Sequence, residues 1–197
     1  MKRLVFTSTL HDPNGALTKV LDTQRFQSNL NYVFKGLDEL GYDPFFVISA
    51  TSATNDCLLD RLMSFRANVY QIPNNLNLSI EDNHVRALNL GLNYASNKDL
   101  IHYIDGDRLI HAMFFFPSDI IEMFEVATRE MQKFPYLGHI RTKEAFETHT
   151  KPMILTEMWI TACYSMALQR IYDPCSTAHT FVPKSIEYIL ENNDKFR

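Results

Sequence analysis

The stretch DLIHYIDGDRLIHA (residues 99–112) joins an apolar run to two carboxylates that stand two positions apart. The run over residues 100–104 is typical of a strand buried on both faces, as in a parallel sheet. It ends abruptly in Asp105-Gly106-Asp107. In a parallel α/β sheet, ligands bind at the carboxyl ends of the strands. The stretch therefore indicates either an exposed Asp-Gly turn or a site for a divalent cation.

The chemistry of the two carboxylates favours a cation that is shared with a ligand. Residues i and i+2 of an extended chain point the same way, so we expect Asp105 and Asp107 to meet one hard cation. Gly106 between them is expected to let a ligand approach the backbone closely. Mg²⁺ and Mn²⁺ take oxygen ligands and usually keep waters and substrate phosphates in their shell. Two carboxylates with open positions therefore suit a nucleotide diphosphate better than a structural ion.

Strands and helices alternate on both sides of this stretch. The pattern predicts strands at residues 4–9, 45–48, 68–72 and 100–104, and helices at residues 17–40, 58–65, 79–95 and from residue 117 onward. Asp43-Pro44 is expected to form a turn before the second strand. Continuous apolar strands with intervening helices indicate an α/β fold with a mostly parallel central sheet and helices on both faces.

The alternation weakens after residue 133. We predict a strand at residues 135–141, a loop at 142–152, and helices at 156–170 and 183–191. This second part is expected to be an elaboration packed on the sheet. Residues 1–197 are therefore expected to form a single domain, which agrees with their number.

Composition excludes several classes of protein. Hydrophobic residues make up 46% and charged residues 21% of the chain, with a net charge of −4, so the composition is that of an ordinary globular domain. We expect no nucleic-acid partner, because a large basic footprint is missing. No stretch approaches the ~18 apolar residues of a spanning helix. The odd set of three cysteines without metal-type spacing indicates reduced thiols in a cytoplasmic protein, with loose peripheral membrane association also allowed.

The segment VRALNLGLNYASNKDLIHYIDGD (residues 85–107) resembles the signature of the GT-A nucleotide-sugar glycosyltransferases, in particular family 2. That family has a basic residue, then Ala-x-Asn-x-Gly, an alanine-rich helix end, a hydrophobic strand and an Asp-x-Asp motif. The matching residues here are Arg86, Ala87, Asn89, Gly91, Ala95, Asp105 and Asp107. The resemblance implies a GT-A, nucleotide-diphospho-sugar transferase-like fold. It also implies transfer of a sugar from a nucleotide-diphosphate donor to an acceptor hydroxyl, with Mn²⁺ or Mg²⁺ as the cofactor.

The resemblance assigns roles to individual residues. Asp105 and Asp107 would hold the metal, and His179 matches a histidine that can complete the metal site, although a buried histidine bonded to backbone would look the same. The donor-binding set is Thr7, Thr9, Ser49, Arg86, Asn89, Asp105 and Arg108. The alternative for the hydroxyls and amides is that they cap turns, and for the arginines that they form surface salt bridges. Residues 1–133 would bind the nucleotide sugar, and residues 134–197 would form the acceptor side.

The acceptor side departs from the family. The segment TEMWITACYSMALQRIYDPCSTAH (residues 156–179) resembles an acceptor-side helix that often begins Glu-Asp. Glu157 matches the first acid and is the expected catalytic base, although the helix dipole alone also favours an acid there. Met158 stands where the aspartate commonly proposed as the base would be. The first two strands end in Thr7-Ser8-Thr9 and Ser49-Ala50-Thr51-Ser52, where the family often has Pro-Thr-Tyr-Asn and Asp-Asp-Gly-Ser.

Two other functions stay open. A degenerate, non-catalytic GT-A domain that binds a nucleotide sugar or a partner is favoured by Met158 and by the altered strand ends. A sugar nucleotidyltransferase ranks lower, because that class usually has a glycine-rich basic loop after the first strand, and Gly15 with Lys19 is a poor substitute. The sequence leaves the acceptor open between a saccharide, a lipid and a protein, and it is compatible with a homo-oligomer.

Overall fold

A six-stranded sheet forms the centre of the computed structural model, which describes residues 1–73, 76, 78–148 and 151–192. In chain order the strands are β1 (Lys2–Leu10), β2 (Tyr42–Ala50), β3 (Asn68–Gln71), β4 (Leu100–Tyr103), β5 (Tyr136–Gly138) and β6 (His179–Phe181). Their order across the sheet is β3-β2-β1-β4-β6-β5. The first four are parallel, whereas β6 runs antiparallel to both β4 and β5. The mostly parallel central sheet is therefore confirmed.

Helices connect the strands. They are α1 (Thr18–Leu21), α2 (Gln24–Glu39), α3 (Asp56–Ser64), α4 (Ile80–Tyr94), α5 (Gly106–Phe115), α6 (Pro117–Glu130), α7 (Lys143–Glu147), α8 (Lys151–Leu168) and α9 (Pro183–Glu191), with a 3-10 turn at Pro174–Ser176. Polar side chains fix several starts: Thr23, Asn55 and Ser79 accept backbone N–H bonds at the first turns of α2, α3 and α4. Among the described helices, we find none that is long and apolar enough to cross a membrane.

The two faces of the sheet carry different helices. Leu4 and Phe6 of β1 belong to a large apolar cluster with α2, α3, α5 and α6. Val5, between them, points to the opposite face and to a smaller cluster with α4 and α9. This alternation along one strand follows from the two-residue period of a strand. Helices on both faces of the sheet are thereby confirmed.

The predicted turn at Asp43-Pro44 is wrong, because both residues lie inside β2. Pro44 pairs with Leu4 of β1, whereas β3 pairs only with residues 47–50 of β2. The first half of β2 is therefore an edge on its outer side. A proline is tolerated there because no neighbouring strand requires its missing N–H.

Other differences concern breaks and short elements. The predicted helix at residues 17–40 is two helices, since the chain leaves α1 at Asp22 and Thr23 then caps α2. The predicted loop at residues 142–152 contains α7 and the start of α8, and residues 149 and 150 lie outside the described part. Helix α5 and strand β6 have no counterpart among the elements predicted from hydrophobic period.

Candidate functional site

Asp105 lies at the carboxyl end of β4, where the chain turns into α5. Its backbone is extended (φ −60°, ψ 139°), but Gly106 and Asp107 already belong to the first turn of α5. The expectation that Asp105 and Asp107 follow one another on an extended chain is therefore wrong, because the helix begins between them. Asp107 is exposed, and its carboxylate accepts the Arg108 backbone N–H at 2.8 Å.

Gly106 is required by the protein's own backbone. A Cβ atom at this position would lie 2.8 Å from the carbonyl oxygen of Thr9 and 3.0 Å from a methyl group of Leu10. The start of α5 thus sits directly against the end of β1. The sequence suggested that a ligand approaches this glycine, whereas the structure shows that β1 does.

Polar groups from four elements, β1, β4, α4 and α5, converge on Asp105. The Tyr103 hydroxyl and the Thr9 hydroxyl donate to Oδ1 at 3.0 and 3.2 Å. His84 Nε2 lies 4.0 Å from Oδ1, and Arg108 Nε lies 4.0 Å from Oδ2. Burial, and next the charge of Asp105, raise the pKa of Tyr103, so that its hydroxyl remains a donor. We call these five residues the Asp105 group.

Two members of the Asp105 group were not among the sequence candidates. Tyr103 precedes Asp105 by two residues, and strand alternation could have placed it on the same side of the chain. His84 lies in the first turns of α4, close to the carboxyl ends of the strands. Thr9 and Arg108 were predicted, and the structure brings both to Asp105.

A second polar group lies at the ends of β2 and β3. Ser49 is fully buried, and its hydroxyl donates to Asn83 Oδ1 at 2.7 Å. Arg86 donates to Ser49 Oγ at 3.1 Å and to the carbonyls of Tyr70 and Gln71 at 3.4 and 3.5 Å. Burial lowers the pKa of Arg86. Ser49 and Arg86, both predicted to bind the donor, therefore lie together at the same sheet edge. Both form hydrogen bonds with other groups of the protein.

Thr7 and Asn89 are not part of either group. Thr7 is fully buried, and its hydroxyl donates to the Ala87 carbonyl, so its predicted contact with a donor does not fit its position. Asn89 is exposed on α4 and donates to the Val85 carbonyl of its own helix at 3.2 Å. A Cβ at Gly91 would lie 3.0 Å from that of Thr7. Much of the Ala-x-Asn-x-Gly pattern thus serves the close packing of α4 on β1.

A chain of ion pairs runs from the Asp105 group into the second half of the protein. Arg108 Nη2 lies 3.3 Å from Glu157 Oε1, and Arg141 Nη1 lies 2.6 Å from Glu157 Oε2. Arg141 also holds both carboxylate oxygens of Asp173, at 2.9 and 3.0 Å. Both oxygens of Glu157 are therefore engaged by arginines. Neither Arg141 nor Asp173 carried a sequence signal.

The charges of this chain are stabilised by one another. Burial alone would raise the pKa of Asp173, but the hydrogen bonds and charge of Arg141 outweigh it and lower that pKa. For Arg141 burial lowers the pKa, and the bonds to Asp173 and Glu157 more than offset it. Met158, beside Glu157, is 55% exposed. The position that the sequence resemblance assigns to the usual base thus faces solvent.

The sequence matches no protein-family model and no curated protein. Among solved structures, it is similar to 4-diphosphocytidyl-2C-methyl-D-erythritol synthase from Anaerococcus prevotii DSM 20548, with a TM-score of 0.50 and 14% identity. The likeness covers 98% of this chain and 76% of that chain. The fold is nucleotide-diphospho-sugar transferase-like. At this identity the comparison establishes the fold, and the name of the synthase describes that enzyme alone.

The residues at the end of β4 are the candidates for a cation site. Within the described residues, we find no group of three His, Cys, Asp or Glu side chains arranged to hold a metal ion. His179 bonds the Tyr136 hydroxyl at 3.0 Å; burial lowers its pKa, and the charge of Asp105 partly opposes this. Asp105 and Asp107 do supply carboxylate oxygens, the ligand type that hard cations prefer, and a cation there would need its remaining ligands from outside the protein.

A large cavity adjoins this region. Its volume is about 790 Å³, within the usual range for small-molecule sites. Its lining includes Asp107, Arg108 and Arg141, together with side chains of α5, of α6 and of the residue between them: Leu109, Ala112, Phe116, Ile120, Met123 and Val126. Both halves of the chain contribute to its walls, and most of its surface is apolar.

Proposed function

We propose that the protein is a metal-dependent glycosyltransferase of the GT-A type, similar to family 2, that uses a nucleotide-diphosphate sugar. The observation that carries the proposal is the position of Asp105 at the carboxyl end of β4, beside Arg108 and at the start of α5. Ligands of open α/β sheets bind at this edge. The N-terminus of a helix and an arginine both favour the phosphates of such a donor.

The reaction follows from these groups. The acceptor oxygen forms a bond to the anomeric carbon as the bond from that carbon to the diphosphate breaks, and the acceptor proton passes to a base. Arg108 and the first N–H groups of α5 would bind the departing diphosphate. When bound to Asp105 and Asp107, with His179 as the predicted third ligand, Mn²⁺ or Mg²⁺ supplies Lewis-acid stabilisation of the negative charge.

The two halves of the chain would divide the work. Residues 1–133 would bind the donor, and residues 134–197, of which 193–197 lie outside the described part, would form the acceptor side. The cavity beside Asp107 and Arg108 supports this division, because residues of both halves line it. The acceptor stays open between a saccharide, a lipid and a protein.

Glu157 stays the predicted base, but its surroundings favour a second candidate function. Arg108 and Arg141 engage both of its oxygens, and Met158 is exposed. A base needs a free lone pair within reach of the acceptor proton. A degenerate domain that binds a nucleotide sugar without turning it over therefore remains the main alternative.

A nucleotidyltransferase ranks third, although the similar synthase shares the fold. The loop after β1 carries Asp12, which is buried, and its carboxylate accepts the N–H groups of Ala16 and Leu17 at 3.1 and 2.9 Å. A phosphate-cradling loop presents such N–H groups to the ligand. In this loop the Asp12 carboxylate already accepts the N–H groups of Ala16 and Leu17, so they are not presented to a phosphate.

Calorimetric titration with UDP- and GDP-sugars, with and without Mn²⁺, tests the binding site. We expect Asp105→Asn and Asp107→Asn to weaken metal-dependent binding by about tenfold or more, which corresponds to the loss of one charge-assisted contact. Asp38→Asn, at an exposed position of α2, is the matched control and should bind as the parent does. If Asp105→Asn keeps the full metal-dependent affinity of the parent, the assignment of Asp105 as a metal ligand is wrong.

Turnover separates the enzyme from the degenerate domain. Mass spectrometry with an acceptor library should detect transfer or donor hydrolysis by the parent. If Glu157 is the base, Glu157→Gln removes the acidic limb of the pH–rate profile, whereas loss of a positioning group lowers the rate at all pH values. Tight donor binding with neither hydrolysis nor transfer would identify the degenerate alternative.

The expected location and partners stay predictions. Cys57, Cys163 and Cys175 are all free thiols, which supports a cytoplasmic protein. The absence of nucleic-acid partners and the compatibility with a homo-oligomer stand as inferred from the sequence. Peripheral membrane association is supported by one particular surface, the outside of α8.

A further inference from the structure

Helix α8 turns its polar side inward. Glu157, Thr161 and Ser165, which are spaced about one turn apart, attach this side to the rest of the protein, and the Tyr164 ring also contacts that of Tyr172 here. Glu157 pairs with two arginines, the Thr161 hydroxyl donates to Asp173 at 3.3 Å, and the Ser165 hydroxyl donates to the Tyr172 carbonyl at 3.1 Å. Among the described side chains of α8, only Glu157 is buried. The helix is thus held by polar contacts, unlike α2, α4 and α6.

The side of α8 opposite Glu157, Thr161 and Ser165 exposes small and large apolar side chains. With about 100° of rotation per residue, this side carries the stripe that we define as the α8 outer face: Leu155, Trp159, Ala162, Cys163 and Met166, all of them exposed. Leu155 is 62%, Trp159 72% and Met166 70% exposed. A contiguous apolar surface of this kind marks a site that contacts another apolar surface.

The solvent-exposed charged residues of the segment 151–172 are all basic. Lys151 begins the helix and Arg170 follows its end, and both are exposed. The acidic residue between them, Glu157, is buried against Arg108 and Arg141. The face therefore has a cation at each end and presents no carboxylate between residues 151 and 172, all of which the structure describes.

These charges disfavour a second copy of the chain as the occupant. Two α8 helices related by a twofold axis would lie either antiparallel or parallel. In the antiparallel arrangement Lys151 of one copy lies beside Arg170 of the other. In the parallel arrangement Lys151 lies beside Lys151 of the other copy, and Arg170 beside Arg170. Both arrangements bring like charges together, which opposes association.

We propose that the α8 outer face docks onto the surface of a bilayer that contains anionic lipids. Interfacial helices place Trp, Leu and Ile in the headgroup–acyl boundary and their Lys and Arg residues among the phosphates. Trp159 has the amphipathic ring that favours this depth. Because the polar side of α8 is fastened to the protein, the helix would lie along the membrane surface. This inference does not depend on the proposed glycosyl transfer.

Trp159 makes the proposal directly measurable, because it is the only tryptophan of the chain. The full chain is titrated with vesicles of phosphatidylcholine alone and with vesicles that contain roughly one-third phosphatidylglycerol. We expect a blue shift of Trp159 emission and co-sedimentation with the anionic vesicles. No shift and no co-sedimentation with anionic vesicles would overturn the proposal, whatever the result of the donor-binding experiment.

Paired variants distinguish binding through the α8 outer face from nonspecific binding through any exposed apolar side chain. Leu155→Ser with Met166→Ser should weaken anionic-vesicle binding by about tenfold or more, since both side chains lose apolar burial. Leu76→Ser with Met63→Ser changes the same residue types at exposed positions elsewhere and should bind as the parent does. Equal loss in both pairs, with folding verified by circular dichroism, contradicts a role for α8.

The charges have their own test. Lys151→Gln with Arg170→Gln should reduce binding to the anionic vesicles about tenfold and leave the weaker binding to phosphatidylcholine nearly unchanged. Analytical ultracentrifugation without vesicles gives the competing result. If the Trp159 blue shift grows with protein concentration and follows dimer formation, the face is a contact between copies and the membrane proposal is wrong.

Discussion

At the scale of single residues, Gly106 decides the shape of the candidate site. It lies between Asp105 and Asp107, and the space that a side chain would need is filled by the Thr9 carbonyl oxygen, 2.8 Å from the Cβ position. A carbonyl oxygen belongs to the backbone of β1 and cannot rotate away. The residue therefore allows α5 to begin directly after the sheet, with the two carboxylates on a helix start.

We expect Gly106→Ala to lower the free energy of unfolding by about 1–3 kcal/mol, the usual cost of overpacking. Gly36→Ala in α2 is the comparison variant, because the three atoms nearest to its Cβ all belong to the side chain of Ile121, which can rotate away as backbone cannot, and the helix gains propensity. Urea denaturation measures both variants. A Gly106→Ala protein as stable as Gly36→Ala would mean that α5 can shift from β1 at no cost.

At the scale of elements, α8 depends on one side chain for its place. Arg141 follows β5 and joins Glu157 of α8 to Asp173 of the next turn. All three side chains are largely buried, with at most 11% exposed. Removing the cation from such a group leaves buried carboxylates without a counter-charge, which is far more costly than losing a surface pair.

Arg141→Met should lower the free energy of unfolding at pH 7 by about 3–5 kcal/mol. Because the pKa of Asp173 is lowered in the folded state, its contribution is present above the unfolded value of 3.8 and is lost as the pH falls through the folded value. The difference in the free energy of unfolding between the parent and Arg141→Met should therefore become smaller below about pH 4. Urea denaturation across pH measures this, and a difference that stays constant would exclude the ion-pair explanation.

The control for this prediction is an exposed ion pair. Arg129 contacts Glu130 at 2.7 Å on the surface of α6, and its side chain is 67% exposed. Arg129→Met should change stability little, because exposed pairs are screened by solvent. Comparable losses at Arg129 and Arg141 would show that burial does not set the cost.

The elements also show what the sequence could reveal. The apolar runs of β1, β2 and β4 and the periodic faces of α2, α4 and α6 were predictable, because each repeats a pattern over many residues. Helix α5 was not, since its start depends on the contact of Gly106 with Thr9. The Asp105 position was predictable from its strand, whereas Arg141 and Asp173 join through a long-range pairing that no local pattern records.

At the scale of the whole molecule, the two halves of the chain are joined at a histidine cluster. His102 of β4 is fully buried, and its Nδ1 is 2.9 Å from the hydroxyl of Thr180 in β6. His139, just after β5, reaches the same hydroxyl with Nε2 at 2.7 Å. Burial, and next the neighbouring histidine charges, lower the pKa of His102 well below its usual value. Both rings are therefore neutral in the folded protein near pH 7.

This cluster makes global stability depend on pH. Burial, followed by the charge of His179, lowers the pKa of His139 to about 4, against 6.5 for an ordinary histidine. Between about pH 6.5 and pH 4, His139 is protonated in the unfolded chain but neutral in the folded protein. The free energy of unfolding therefore falls as the pH falls through this range. One such histidine contributes a slope of about 1.4 kcal/mol per pH unit.

We expect His139→Gln to remove that share of the slope, since glutamine can keep the bond to Thr180 but does not titrate. His11→Gln, at an exposed loop position, is the control and should keep the parent slope. Urea denaturation at half-unit steps between about pH 4 and 7 gives the free energies. If His139→Gln loses stability on acidification as steeply as the parent, His139 is not a source of the dependence. The junction of the two halves would then owe its acid sensitivity to other groups, His102 first among them.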